Sequence, residues 1–211
     1  MIPRAAAEGL ARFVDLFCEE GYFDLADLEK IALAGAAAGL GLKVHAEQLT
    51  RMGSLPPAVK HKAVSVDHLD HASESDFSVL AAGRTVACLV PGSNYFLGKP
   101  YPPARRLLDA GAAVALATDF NPGTCPCWDM RAIMSIACTQ MKMTPAEALV
   151  AATINGACAI GLGRTHGTLE PGKVADLVCH DAEDWRELAY YFSAPRARWV
   201  MKKGEVVARP A

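Results

Sequence analysis

The chain has 211 residues, 52% of them hydrophobic and 21% charged, a balance that can fill a core and lies far from the composition of disordered chains. Twenty-one Lys and Arg against 23 Asp and Glu leave a formal charge of -2, so there is no basic excess to bind a nucleic-acid backbone. Seven scattered cysteines, several in apolar runs such as TVACLV, argue for reduced thiols in a cytoplasmic protein, and neither the roughly 18–20 apolar residues of a membrane span nor the long apolar stretch of a secretory signal is found.

In chain order, FVDLFCE reads as a first strand. Asp24 caps a helix over 25–40 that is acidic in its first turn, at Asp27 and Glu29, and is stopped near Gly39 and Gly41. The next strand ends in LKVHAEQ. AVSVDHL forms another, with Val64, Val66 and His68 sharing a face by the period of two. Ser73 starts a helix closed by Gly83. RTVACLV is a strand halted by Pro91, the stretch from Pro102 to Gly111 a helix, and AAVALATD a strand buried on both faces.

The expected strand ends at His45, His68, Val90 and Asp119 stand 23, 22 and 29 residues apart, the length of one strand, one helix and two short loops. Counting the first strand, the chain holds five successive β/α units. Eight close a barrel of about 250 residues, whereas five leave a sheet with two open edges. After Asp119 the pattern turns helical. TPAE, beginning at Thr144, is a capping box with Pro145 at the first helical position, and its helix is expected to run to about Asn155. In the tail, GTLEPGKVADLVCHD reads as a turn and a short strand. WVMKKGEVV reads as a hairpin around Lys203 and Gly204, so the tail is a small β appendage.

His45, His68 and Asp119 each fall at the carboxyl end of an expected parallel strand, the rim where side chains of such folds converge on a ligand. Imidazole and carboxylate suit a borderline divalent ion, and an aspartate beside a metal site can take a proton from water. A single histidine there is more often a surface or core residue, and Asp119 alone could cap its loop; three on one rim point to function. In the following loop, DFNPGTCPCWD, Asn121, Pro122 and Gly123 are turn formers. Gly123 with Thr124 lets backbone N–H groups and a hydroxyl approach an anionic ligand, against the plainer reading of an ordinary βα turn. Cys125 and Cys127 form a C-x-C pair that could bind metal, but no second pair lies at zinc-finger spacing, and they read as buried thiols. His61, His71, His166 and His180 lie in polar or turn-rich surroundings. The sequence carries no Gly-rich phosphate loop and no G-x-S-x-G elbow.

VHAEQL with His45, SVDHLDH with His68, LVPGSNYFL, ALATDFNPGT with Asp119 and LEPGKVADLV, in this order, resemble the imidazolonepropionase family of metal-dependent amidohydrolases. LEPGKVADLV is generic to amidohydrolases; ATDFNPGT following VHAEQ and DHL is more specific. The resemblance implies an α/β fold, the later strands of a (β/α)8 TIM-type barrel over residues 1–163, with residues 164–211 contributing a small β segment to a composite sandwich. It implies one divalent metal, zinc or iron, with His45 as ligand, Asp119 as ligand and base, and His68 stabilising the attacked carbonyl. Gln48, Asn121, Gly123 and Thr124 would contact a small-molecule substrate, 4-imidazolone-5-propanoate, whose cyclic amide is opened to N-formimidoyl-L-glutamate. The family's H-x-H pair has no counterpart in this sequence, so the resemblance also implies either a homo-oligomer or a missing N-terminal half. Two rivals stand beside it: another cyclic-amide or deaminating amidohydrolase, and an inactive truncated fragment.

Overall fold

Short β-branched and small apolar runs separated by capped helices produce β1 (Phe13–Cys18), β2 (Gly41–Ala46), β3 (Ser65–His68), β4 (Val86–Leu89) and β5 (Val114–Leu116). The computed structural model describes residues 1–192 and 197–208. The five strands lie side by side in sequence order, and the pairs β1–β2, β2–β3 and β3–β4 are parallel. At the β4 edge the Ala87 N–H donates to the Ala113 carbonyl at 2.8 Å. Five β/α units are therefore present, as the strand spacing requires.

Helices α1 (Ile2–Ala7), α2 (Leu25–Ala37), α3 (Leu55–Lys60), α4 (Glu74–Ala82), α5 (Pro91–Leu97) and α6 (Ala104–Asp109) fall between or before the strands. Asp24 caps α2 through a reciprocal pair: the Asp27 N–H donates to Asp24 Oδ1 at 2.9 Å and the Asp24 N–H to Asp27 Oδ2 at 3.4 Å. Leu28, Ala32 and Gly35, four and three residues apart, form its buried stripe. A Cβ on Gly35 would stand 2.5 Å from Val14 Cγ2, so only glycine allows the helix this close to β1. Leu28, Leu55, Phe77, Leu80 and Leu107 are fully buried, each contributing about 1.5–3 kcal/mol through burial.

Residues 1–90 with 100–114 form one compact unit, and residues 91–99 with 115–211 form a second. In the second unit, α7 (Met130–Gln140) buries Ile133, Met134, Ile136 and Ala137. α8 (Pro145–Val150) starts with the expected Thr144–Glu147 capping box. A π-helical turn (Ala151–Asn155) and α9 (Gly156–Ala159) follow. The helical stretch thus passes Asn155 by four residues, because Gly156 continues it rather than ending it. β6 (Leu177–His180), β7 (Ala197–Lys202) and β8 (Glu205–Ala208) make a small antiparallel sheet. Lys203 and Gly204 form its two-residue turn with φ of 51° and 86°, both positive as such hairpins need.

Four helices escaped the sequence reading: α1, α3, α5 and α10. Pro91 does end the β4 run, but it also opens α5, where a proline at the first helical position gives up no bonded N–H. α10 (Glu187–Tyr190) is a single turn inside the tail, too short to show a period.

Candidate metal and catalytic site

Parallel pairing fixes which side chains share a face. Asp15 stands opposite Lys43, Phe17 opposite His45, Lys43 opposite Ser65, and His45 opposite Asp67. One face of the first three strands therefore carries Asp15, Phe17, Lys43, His45, Ser65 and Asp67, and the other carries Val14, Leu16, Val44 and Val66. Asp15, His45 and Asp67 each offer a ligand atom within 4.8 Å of the others. His45 Nδ1 lies 3.1 Å from Asp15 Oδ1, and the Phe17 ring meets the imidazole edge-on with centroids 6.5 Å apart. Asp67 accepts the Ser65 hydroxyl at 2.7 Å and faces Lys43 Nζ at 3.7 Å. Burial pushes its carboxyl above the usual range against the pull of Lys43, Ser65 and His45. Imidazole and carboxylate donors this close together fit a borderline divalent ion.

His68 corrects the sequence reading. Strand alternation puts it beside Val66 and opposite to His45, since its register partner is Ala46. Yet the His45 and His68 rings are 5.4 Å apart. The backbone explains this: His68 and Leu69 adopt φ of 80° and 68°, so the chain leaves the pleat and re-aims the ring. Burial, with the neighbouring His45, lowers the His68 pKa to about 4, which keeps the ring neutral at physiological pH. Its buried Nδ1 has no hydrogen-bond partner among the described residues.

Two buried carboxylates shape the segment after β2, which carries Gln48. Glu19, at the end of β1, accepts the N–H groups of Gln48 (3.0 Å), Leu49 (2.8 Å) and Thr50 (2.9 Å) and the Thr50 hydroxyl. Glu47 accepts the N–H of Met52 at 2.9 Å and both the N–H and hydroxyl of Ser54 at 2.8 and 2.7 Å. Both side chains are fully buried.

Asp119 follows the carboxyl end of β5, with φ of 51°. In its loop the Asn121 side chain acts as a local organiser. Its Nδ2 donates to the Asp119 carbonyl at 2.7 Å and to Thr124 Oγ1 at 2.8 Å, and its Oδ1 accepts the N–H of Gly123 at 2.9 Å and of Thr124 at 2.7 Å. Asn121 and Cys125 then pair through their backbones, at 3.0 and 3.3 Å. Asn121, Gly123 and Thr124 thus come together around one side chain. All seven cysteines are free thiols, and Cys125, in this loop, is buried.

Asp15, Glu19, Glu47 and Asp67 were missed by the sequence reading. The signal existed for two of them: Asp15 interrupts the apolar run FVDLFC, and Asp67 directly precedes His68 in a strand otherwise apolar or small. An acid in an apolar strand needs a partner.

Residues 27–207 match the amidohydrolase family. Among curated proteins, the chain is 42% identical over 208 residues to the imidazolonepropionase of Flavobacterium psychrophilum, a match covering 98% of this chain and 51% of that protein. It is 45% identical over 207 residues to the imidazolonepropionase of Shouchella clausii, covering 98% and 46%. The chain spans about half the length of the curated relatives it matches. Among solved structures it superposes on an adenosine deaminase from Xanthomonas campestris with bound zinc, with TM-score 0.76 and 22% identity over 89% of this chain and 50% of that one. Ochratoxinase of A. niger gives TM-score 0.77 and 20% identity, covering 99% of this chain and 54% of that one. Similarity at this identity establishes the shared fold.

Proposed function

This chain belongs to the amidohydrolase family, and from that premise we propose that it supplies the later β/α units of an imidazolonepropionase active site, which opens the cyclic amide of 4-imidazolone-5-propanoate to N-formimidoyl-L-glutamate. The observation that carries this reading is the apposition of His45 and a buried, neutral His68 at neighbouring strand ends. His45 and Asp119 would hold one divalent ion, zinc or iron. Such an ion supplies Lewis-acid polarisation of the amide carbonyl and makes water a better nucleophile near neutral pH.

The chain's own groups do the rest. The Asp119 carboxylate accepts a proton from the attacking water and passes it to the departing ring nitrogen. His68, neutral and short of a partner at Nδ1, can donate a hydrogen bond to the carbonyl oxygen as charge develops there. Gln48 is fixed at its backbone by Glu19 and reaches for the substrate with its side chain. Asn121, Gly123 and Thr124 form a rigid turn that would hold the substrate's carboxylate end.

A catalytic zinc normally takes three protein ligands, and these 211 residues lack the H-x-H pair, so the complete site would draw its further ligands from earlier barrel strands that lie outside this sequence. The test mixes the purified chain with the N-terminal half of a curated imidazolonepropionase and follows ring opening of 4-imidazolone-5-propanoate. Turnover by the mixture, abolished by Asp119→Ala, is expected. Turnover unchanged in Asp119→Ala removes that residue from the mechanism, and an associated but inactive mixture overturns the assignment. Activity of these 211 residues by themselves as an oligomer would place the further ligands on other copies of the same chain.

A further inference from the structure

We propose that Asp15 is the positioning residue for His45: its carboxylate takes the Nδ1 proton of the imidazole and so commits the lone pair of Nε2 to the metal. This deepens the metal reading given above and rests on it for the metal, although the tautomer itself is independent of any ion.

Phe17 of β1 is paired with His45, which puts Asp15, two residues earlier, on the same face and one step along the strand. At 3.1 Å, Asp15 Oδ1 is within hydrogen-bond distance of His45 Nδ1. An ionised carboxylate can only accept, so Nδ1 must be the donor; a neutral imidazole carries one N–H, so the lone pair is left at Nε2. Asp67, the register partner on the other side, takes the Ser65 hydroxyl and faces Lys43, whereas Asp15 is the carboxylate whose oxygen stands at hydrogen-bond distance from His45 Nδ1. Two rings hold the imidazole plane as well: Phe17 meets it edge-on, at 85°, and His68 lies tilted against it at 45°. A metal-binding histidine commonly needs such an acceptor behind it, because the acceptor fixes the tautomer and raises the basicity of the ligating nitrogen.

The competing arrangement is a three-donor site in which Asp15, His45 through Nδ1 and Asp67 ligate one ion directly. It demands the opposite tautomer. Long-range 15N–1H correlation on the 15N-labelled full chain at pH 8 distinguishes the two without any metal. We expect His45 as the Nδ1–H tautomer in the unaltered chain, a mixture of tautomers in Asp15→Ala, and retention of Nδ1–H in Asp15→Asn, whose side-chain oxygen still accepts. Zinc titration against a competing chelator adds the second readout, with affinity falling about 10–100-fold in Asp15→Ala. An Nε2–H tautomer in the unaltered chain, or one unmoved by Asp15→Ala, overturns the proposal, as does cadmium coupling to Nδ1. A chain that shows the expected tautomers but no zinc binding keeps the positioning role and sinks the metal reading. Thermal unfolding of each variant confirms that the fold is retained, and Asp15→Leu, of similar shape but with no acceptor, takes the place of Asp15→Ala if that variant does not fold.

Discussion

Replacing Glu19 with Gln keeps the size and shape of a fully buried side chain but turns one of its two accepting oxygens into a donor. Oε2 accepts the N–H groups of Gln48 and Leu49 at 3.0 and 2.8 Å; Oε1 accepts the N–H of Thr50 at 2.9 Å and its hydroxyl. If Oε2 becomes the NH2, two bonds to a charged acceptor are lost; if Oε1 does, the long bond from the Glu20 N–H at 3.3 Å is lost as well, and in either case donors face a further donor. At about 1.5–3 kcal/mol per bond to a charged group, Glu19→Gln should cost about 3–6 kcal/mol. The lower end applies if the amide turns toward Thr50, whose hydroxyl can rotate away. That is a large share of an ordinary domain stability of about 5–15 kcal/mol. Burial opposes the charge on Glu19, but the bonds from Leu49, Thr50 and Glu20 prevail and hold its carboxyl below the usual 4.5. A lowered folded pKa means that this stabilisation is fully present above pH 4.5 and disappears as the pH falls through the folded value. Urea unfolding at pH 7 and along the acid limb, with amide exchange at residues 48–50, measures both effects. A loss below about 1 kcal/mol with unchanged exchange at those amides would refute the carboxylate clamp.

Three further outcomes follow from local geometry. His68 titrates near 4 in the folded chain against 6.5 when exposed, so the unfolded state binds the extra proton between those values and stability falls as the pH drops through the window. The loss is about 3 kcal/mol, and it should be missing from the difference between the unaltered chain and His68→Gln if the ring instead titrates normally by NMR. Gly92→Ala would place a Cβ 2.7 Å from Cys125 Sγ and 2.8 Å from Ile133 Cδ1. Overpacking there should cost about 1–3 kcal/mol, read from the denaturation midpoint. Phe77→Ala removes a fully buried ring with the Arg106 guanidinium 5.3 Å from its centroid, and should lower stability by about 3–5 kcal/mol.

The scaffold was largely legible because its signals are local. Asp24, Ser73 and Thr144 each announce a helix through an acid three residues later, and all three boxes form. The strands of the first sheet were found from short apolar runs at regular spacing, which the parallel architecture demands. The candidate site was legible only in part. His45 and His68 do come together, but alternation alone predicts the wrong face for His68, since a positive φ at a histidine leaves no mark in a sequence read by periods. Glu19 was invisible for a different reason. Its partners are the backbone N–H groups of residues 48–50, about 30 positions away, and backbone donors have no residue code.

The strained positions connect scaffold and chemistry. Among the described residues, seven other than glycine have φ in the left-handed region. Lys62 and Lys142 close helices and Lys203 sits in a hairpin, where that conformation is ordinary. Glu47, His68, Leu69 and Asp119 instead stand at or just beyond the carboxyl ends of β2, β3 and β5. Each costs about 1–2 kcal/mol, and a turn with glycine would avoid it. The cost is borne because a glycine could supply neither the Glu47 carboxylate that takes three donors from residues 52–54 nor the His68 ring that meets His45. The apolar packing behind β2 and β3 therefore has a second role beyond stability: it holds Glu47 and His68 in a conformation that their own backbones resist.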